Sequence, residues 1–451
     1  MDQNKSKRQP IARIFMLGSA GREAIMNVIK DIIEGIALPR MVPVRQVFDD
    51  THIADLEAHL ARVFDEADLA SRMKPGASVA LGVGSRGLAE LPVLVRATVA
   101  ALKKAGAVPF IVPAMGSHGG GTAEGQTKLL ASLGVTEESA GAPIRASMET
   151  VELGKLQNGL AVLMDKEAMA ADHIAMINRV KPHTSFSGTI ESGLTKMLAI
   201  GLAKHKGAES CHALGFGMMA ENVRAMGAMK IEKAPILFGL ATVENSYDRI
   251  AIAEVVMAED ILAREPALLE QARANMPRIM FDPLDILVVD KMGKEYSGTG
   301  MDPHITGRPA TPYVSPKQTT GKLVILDLSD KSGGNATGLG LADFCTKQLF
   351  DKIDYRAFYT NHLTSTVTTG AKIPMIMETP RMAVQAAIKT ANAPDPSRIR
   401  MVRIPNTLHL EHILISEELL DEARANPAIE ILGEPAEFVF EDETVREPVS
   451  A

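Results

Sequence analysis

Four short loops in this sequence carry side chains suited to acid–base chemistry and to anion binding. Arg86, His118 and His183 each lie in a glycine- or serine-rich loop, and Lys291 and Lys294 lie in a fourth. Imidazole titrates near neutral pH, so histidine is the side chain most often used as a general acid or base. Arginine grips a carboxylate with two parallel hydrogen bonds. Together these residue types predict proton transfer on a small anionic substrate.

The elements before these loops read as buried parallel strands separated by amphipathic helices, which predicts an α/β fold with mainly parallel sheets. Ligands of such sheets bind beyond the carboxyl ends of the strands, so we expect the four loops to converge there. The predicted strands are Ser78–Val83, Ala107–Val112, His173–Val180, Leu284–Val289, Lys322–Leu328, Met401–Ile404 and His412–Ile415, and the predicted helices include Leu88–Lys104, Thr122–Leu133, Gly340–Phe350 and Arg381–Thr390.

The length of 451 residues allows two or three domains of ordinary size. A passage rich in Pro and Met at Ala274–Pro283 separates the glycine-rich loops of the first half from a second set of strands. We therefore expect an N-terminal α/β domain over residues 1–277, a C-terminal α/β domain over residues 278–451, and an active-site cleft between them.

Each candidate residue also has a simpler interpretation. His118 follows a strand and precedes Gly119 and Gly120, whose backbone amides can approach an anion, but it also fits an ordinary surface loop. His183 is either an acid or base, or a histidine whose ring is hydrogen-bonded to nearby hydroxyls. Lys196 is the only charge in a largely apolar segment, which suits a nucleophile or covalent tether unless its ammonium reaches solvent.

Among the histidines after Lys196, His212 is a better metal-ligand candidate than His205, which lies between two lysines. Standard metal motifs such as His-Glu-x-x-His and paired Cys-x-x-Cys are absent from the sequence, and a zinc held by three histidines stays an alternative. Gly82, Gly84 and Gly87 match the spacing of a dinucleotide fingerprint, but no acidic residue follows at the required distance. An NAD-dependent oxidoreductase is therefore a secondary interpretation.

Composition excludes several classes of protein. The chain has 48 basic and 55 acidic residues, a net charge of −7, and no Trp, which disfavours a nucleic-acid binder. No apolar run is long enough to span a membrane, and no secretory signal is recognisable. Two cysteines are too few for a disulfide framework, so a cytoplasmic location is expected.

The order of these motifs resembles the lactate racemase-like family of isomerases that depend on a nickel-pincer nucleotide. The resemblance covers roughly Ser78–Gly217, and the two-domain plan extends it over most of the chain. It rests on a set of short matches in the family's order: Ser85-Arg86, Gly116-Ser-His118-Gly, Lys181-Pro-His183, Phe186-Ser-Gly188, Lys196 and His212.

The resemblance implies racemisation or epimerisation at C2 of a 2-hydroxy acid by reversible hydride transfer to the cofactor, pyridinium-3,5-bisthiocarboxylic acid mononucleotide carrying Ni. It implies that His118 and His183 are the acid–base residues, Lys196 the covalent tether, His212 the metal ligand and Arg86 a substrate-binding residue. Beside these, Ser85, Gly119 and Gly120 are predicted to bind the cofactor, and Lys294 and Arg308 are predicted to bind the substrate from the second domain.

The chain also departs from lactate racemases. Gly84 and Gly87 replace an acidic residue and a proline, and the segment that supplies a substrate-binding lysine in the second domain is not recognisable. Lys294, His304 and Arg308 are the candidates for that role, and a hydroxy acid more polar than lactate fits at least as well. The expected partner is the small substrate, with no nucleic acid or membrane, and a homodimer is allowed. A non-catalytic nucleotide- or metal-binding family member is the other alternative.

Overall fold

The computed structural model describes residues 28–85, 88–393, 395, 398–438, 440, 441, 444 and 445. The predicted substrate-binding residue Arg86 and the neighbouring Gly87 lie outside these residues. The helices are Leu56–Glu66, Leu91–Lys104, Ala123–Ser132, Glu137–Ala140, Lys166–Met169, Leu194–Ala199, Lys204–His212, Met219–Lys233, Ile261–Asn275, Pro303–Thr306, Lys347–Asp351, Tyr355–Ser365, Pro380–Thr390 and Leu420–Ala425. None of the described helices is both long and apolar enough to cross a bilayer.

The first sheet has five strands: β2 Ser78–Val83, β3 Val108–Pro113, β6 His173–Arg179, β7 Ile236–Glu244 and β8 Ile250–Met257. Their order is β3-β2-β6-β7-β8, and only β8 runs antiparallel to its neighbour. Alternate residues of β2 lie in different cores: Val79 and Leu81 pack on one face and Ala80 on the other. Both faces are thus covered, as parallel sheets require. A separate hairpin consists of β4 Thr150–Lys155 and β5 Ala161–Asp165.

The second sheet has eight strands: β1 Met41–Gln46, β9 Leu284–Met292, β10 Thr320–Leu328, β11 Phe344–Thr346, β12 Met375–Met377, β13 Met401–Ile404, β14 His412–Ser416 and β15 Ile429–Ile431. Their order is β12-β11-β10-β9-β13-β14-β1-β15. Strands β9 to β13 are parallel, while β14, β1 and β15 pair antiparallel. A separate pair consists of β16 Phe440–Glu441 and β17 Thr444–Val445.

These two sheets confirm the predicted α/β fold with mainly parallel strands. The prediction of one helix over Gly340–Phe350 was wrong, because Phe344–Thr346 forms the buried strand β11 and only Lys347–Asp351 is α-helical. The small apolar residues of this segment fit either element, and pairing with β10 decides in favour of the strand.

The chain crosses between the two sheets twice, once after β1 and once at residues 274–283. Strand β1 precedes the whole first sheet in sequence, yet it pairs with β14 and β15 of the second. A division at residues 277/278 assigns β1 to the first domain, whereas its hydrogen-bonded neighbours all lie in the second sheet. Gln46 at the end of β1 joins the two passages, because its fully buried side chain donates to the carbonyl of Arg278 and accepts from the amide of Met280.

Candidate active site

The carboxyl ends of three neighbouring strands bring most of the predicted catalytic residues together. Strand β2 lies between β3 and β6, and the chain leaves β2 first for β3 and then returns to the other side for β6. Such a reversal opens a crevice at the strand ends where α/β proteins bind ligands. Ser85 follows β2, His118 follows β3 and His183 follows β6.

His118 lies on an exposed loop and contacts the neighbouring strand end directly. Its Nδ1 and the Ser85 hydroxyl form a hydrogen bond, which joins the loops after β2 and β3. Gln126 holds the loop from below by donating to the carbonyls of Gly116 and His118, at 2.9 and 3.3 Å. This contact orients the imidazole of His118.

The two predicted cofactor-binding glycines differ in what they require. A Cβ on Gly119 would lie 2.6 Å from the backbone nitrogen of Gln126, so close packing against the next helix already explains this glycine. Gly120 has a φ of +68° and open space where its Cβ would be. Only Gly120 therefore leaves room for a ligand at the loop surface.

A buried ion pair beneath the His118 loop was not predicted from the sequence. Lys204 and Asp165 are both fully buried and lie 2.8 Å apart. The ammonium of Lys204 also donates to the Pro113 carbonyl at the end of β3 and to the Gln126 side chain. This network fixes the backbone that carries His118. Its sequence signal is weak, because Lys204 stands in a Lys-His-Lys run typical of a solvated surface.

His183 is held by its own loop and by an aromatic ring. The Ser185 amide donates to His183 Nδ1 at 3.0 Å, which makes Nε2 the protonated nitrogen of the neutral ring. The ring of Phe186 packs on the imidazole, with centroids 4.4 Å apart. A backbone amide of its own loop and the ring of Phe186 thus hold the imidazole of His183.

The buried carboxylate of Glu191 closes the loop around His183. Its two oxygens accept from the amides of His183 and Gly188, at 2.6 and 2.9 Å. Arg273 pairs with the same carboxylate and neutralises its charge. Both ends of the segment 183–188 are therefore fixed within the first domain.

Lys196 lies on the helix Leu194–Ala199, here called the Lys196 helix. It is the only one of the six residues that is not buried, so this side chain alone can reach the crevice. Its ammonium donates to the Ser192 hydroxyl at 3.4 Å. Ser192 in turn forms a two-way backbone bridge with Lys181, which ties the Lys196 helix to the loop of His183.

His212 has the geometry of a single metal ligand. Its Nδ1 donates to the carbonyl of Ala208 at 2.6 Å, which leaves the lone pair on Nε2. Burial lowers the pKa of His212, and the nearby charge of Lys196 acts in the same direction, so the ring stays neutral, as metal binding requires. Among the described residues, no group of three or more His, Cys, Asp or Glu is arranged to hold a metal. The residues present fit a metal whose remaining ligands belong to a cofactor.

The ring of Phe216 lies near both His183, a candidate acid–base residue, and His212, the candidate metal ligand. Its ring centroid lies 6.4 Å from that of His183 and 5.8 Å from that of His212. An apolar ring between the two imidazoles limits water between the candidate proton-transfer and metal positions. Phe216 was not singled out from the sequence, since one aromatic in a glycine-containing segment carries no specific signal.

The three substrate-binding candidates of the second domain lie in different places. Lys294 follows β9 at the carboxyl ends of the second sheet, where it bonds the Asn361 side chain. His304 contacts the first domain through the His183 carbonyl, at 3.3 Å. Arg308 instead pairs with Asp343 and donates to the Gly321 carbonyl, beside the amino ends of β11 and β10. The structure therefore does not bring Arg308 together with the other site residues.

Residues 42–226 match a family model described as the lactate racemase N-terminal domain. Among solved structures, the lactate racemase apoprotein from Thermoanaerobacterium thermosaccharolyticum is 15% identical, with a TM-score of 0.50 over 82% of this chain and 98% of that one. A Thermotoga maritima protein is 13% identical, with a TM-score of 0.47 over 77% of this chain and 96% of that one. No curated protein sequence is significantly similar to the chain.

The matched segment contains all the described candidates of the first domain, from Ser85 to His212. The structural likeness to the apoprotein supports the same fold at low sequence identity. The predicted motifs and the family model agree over this segment, so residues 42–226 are similar to the lactate racemase N-terminal domain.

Proposed function

We propose that the protein is a racemase or epimerase acting at C2 of a 2-hydroxy acid, dependent on a nickel-pincer nucleotide. The observation that carries this proposal is that His118 and His183 follow neighbouring strands of the matched domain, with Lys196 on a helix bridged to the His183 loop. Two acid–base groups from different strands suit a reaction whose two stereoisomers present their hydroxyl groups to opposite sides.

Lys196 and His212 would hold the cofactor, as a covalent tether and as a metal ligand. Lys196 is the one residue of its helix that is half-buried rather than buried, and the Nδ1–H of His212 is donated to Ala208, which leaves Nε2 as the ligating atom; both observations support these roles. When bound, the nucleotide supplies reversible hydride acceptance at C2. Ser85 and Gly120 lie where they can line the same crevice.

His118 and His183 would move the hydroxyl proton in different ways. His118, with its Nδ1–H donated to the Ser85 hydroxyl, would accept this proton on Nε2 as C2 is oxidised. His183, whose Nδ1 accepts from the Ser185 amide, would carry its proton on Nε2 and donate it when the opposite stereoisomer forms. A proton passed from His118 to His183 through water then restores both rings, and the reverse reaction follows the same transfers backwards. A fixed ring orientation lowers the reorganisation needed during proton transfer.

We assign the substrate carboxylate to Arg86 from the first domain and Lys294 from the second. An arginine offers two parallel hydrogen bonds, and the lysine adds a point charge at the facing strand ends. Arg308 is omitted from this role because it pairs with Asp343 away from the crevice. Polar side chains near Lys294, such as Asn361, favour a substrate with more hydroxyl or carboxyl groups than lactate.

The proposal is tested with protein co-expressed with the cofactor-making enzymes. Single enantiomers of a panel of 2-hydroxy acids are incubated with it, and the products are separated by chiral chromatography. We expect one acid to be converted to its other enantiomer, and H118A or H183A to lower that rate by about 10²–10⁴-fold. Net accumulation of keto acid with NAD⁺ would instead favour an oxidoreductase, and ligand binding without exchange at C2 a non-catalytic protein.

A further inference from the structure

A segment of the second domain reaches across to the loop of His183. Residues 303–313, here called the strap, leave the second domain between β9 and β10. The strap is anchored by Ile305 and the preceding Met301, which are buried in the second core. Its far end lies on the first domain, where the Tyr313 ring meets Gly217: a Cβ there would lie 3.0 Å from the Tyr313 hydroxyl. The strap therefore connects the second core to the neighbourhood of both His183 and His212.

Three hydrogen bonds join the strap to alternate residues of the His183 loop. His304 Nε2 donates to the carbonyl of His183 at 3.3 Å, and the Thr311 hydroxyl donates to the carbonyl of Ser185 at 2.6 Å. The amide of Ser187 donates to the carbonyl of Tyr313 at 2.7 Å. Each bond fixes a peptide group of the loop, and none of the three uses a side chain of the loop.

These bonds flank the amide that sets the His183 tautomer. The peptide that carries the Ser185 amide lies between the two peptides whose carbonyls accept from His304 and Thr311. If those carbonyls turn, the Ser185 amide turns with them and leaves the His183 Nδ1. Thr311 and Ser185 are both buried, so a lost hydroxyl–carbonyl bond between them is not replaced freely by water.

We infer that Thr311 and His304 are positioning residues, through which the second domain sets the tautomer of His183. The role of His183 in proton transfer rests on the proposed function; the link between the strap and the tautomer rests on the geometry alone. Because the strap is anchored in one domain and the histidine belongs to the other, His183 is oriented for reaction only when the two domains are in contact.

The first measurement is nuclear magnetic resonance of the protein without cofactor, with ¹⁵N-labelled histidine and with the His183 signal assigned by H183Q. The wild type is expected to show a proton on Nε2 and none on Nδ1. T311V should shift His183 toward protonation at Nδ1 or to a mixture of tautomers, and T311S should restore the wild-type signal. T98V is the matched control, because Thr98 is also buried and also donates to a carbonyl, at Leu94.

A His183 signal that is unchanged in T311V would overturn the inference, whatever the activity. If T311V does not fold, H304A removes the neighbouring bond and the same comparison applies. In the loaded enzyme, T311V should lower kcat by about tenfold or more with KM nearly unchanged, since a small displacement of a catalytic group is costly. An inactive wild type whose tautomer still responds to T311V would contradict the proposed function and leave this inference standing.

Discussion

At the scale of single residues, the two candidate acid–base histidines are oriented by different means. His183 is fixed by a backbone amide and packed against Phe186. His118 lies on an exposed loop and its Nδ1 bonds the hydroxyl of Ser85, which belongs to the neighbouring strand end. We therefore expect Ser85 to have a role in positioning His118 as well as its proposed place beside the cofactor.

We expect S85A to lower kcat by about tenfold with a smaller change in KM, because His118 loses the partner that orients its ring. Steady-state kinetics of the loaded enzyme provide the measurement. S132A is the control, since Ser132 also donates to a carbonyl but lies at the far end of the helix Ala123–Ser132. Equal rates for S85A and the wild type would show that the Ser85–His118 bond is not used.

The sequence singled out candidate reactive residues but not the residues that support them. His118, His183, Lys196 and His212 could be proposed because glycine turns and isolated polar residues in apolar segments are visible locally. Lys204 was missed because its partners Asp165 and Pro113 are distant in the chain and meet it only after folding. Glu191 and Gln126 bond loop backbone within ten residues, and such contacts follow no residue pattern. Arg308 looked equivalent to Lys294 in sequence, and only its partner Asp343 separates them.

At the scale of elements, the Lys196 helix is held at both ends by buried ionisable groups. At its start, Glu265 accepts from the amide and the hydroxyl of Thr195, at 2.8 and 2.6 Å. At its end, the fully buried Lys230 donates to the carbonyl of Leu198 at 2.6 Å. Gly193 leaves the space that the Glu265 carboxyl occupies. Both groups fix the position of the candidate tether without contacting it.

Burial raises the pKa of Glu265 from its ordinary 4.5 to about 7. Between pH 4.5 and 7 the folded chain keeps a proton that the unfolded chain has lost, so the free energy of unfolding falls as pH rises, by at most about 3 kcal/mol. We expect E265Q to remove this fall, as measured by urea denaturation from pH 4.5 to 8. The control is E270Q, an exposed carboxylate on the same helix; parallel curves for E265Q and the wild type would contradict the prediction.

Burial lowers the pKa of Lys230 from its ordinary 10.5 to about 7. Between pH 7 and 10.5 the unfolded chain binds a proton that the folded chain does not, so the free energy of unfolding rises with pH, by at most about 5 kcal/mol. K230M should lack this rise when urea denaturation is followed from pH 7 to 10.5. K233M is the control, because Lys233 also donates to a carbonyl, at Leu153, but is exposed. A rise that persists in K230M would exclude Lys230 as its source.

Most parallel strands could be predicted from sequence, because strands buried on both faces form short continuous apolar runs. Ser78–Val83 and Met401–Ile404 match their predicted bounds. The segment Phe344–Thr346 was misread because three residues beside a helix leave no periodicity of their own. Such short strands are fixed by pairing with their neighbours, which a local pattern does not contain.

At the scale of the whole molecule, two passages of chain join the halves, and Gln46 connects them. The fully buried amide of Gln46 bonds the backbones of Arg278, Met280 and Leu410. The sequence indicated one crossing, because the Ala274–Pro283 passage is marked by its composition. The crossing after β1 was not predicted, since the partners of β1 in the second sheet lie more than 350 residues later in the chain.

We expect Q46L to lower the free energy of unfolding by about 2–3 kcal/mol, because it removes one buried and two half-buried hydrogen bonds to backbone groups. Chemical denaturation measures this loss. Q385L is the control: Gln385 is half-buried and donates to one carbonyl, at Ile36, so its replacement should cost about 1 kcal/mol. Similar losses in the two variants would show that Gln46 has no special part in joining the passages.

The central claim is that Lys196 carries a nickel-containing nucleotide in an isomerase of this family. Its most direct measurement is the intact mass and nickel content of the protein co-expressed with the cofactor-making enzymes, with the modified residue located by peptide mapping. The account predicts an adduct on Lys196 with bound nickel, its absence in K196A, and its retention in K206R, where the exposed Lys206 is replaced. An unmodified wild type without nickel, or an adduct on another residue, would contradict it.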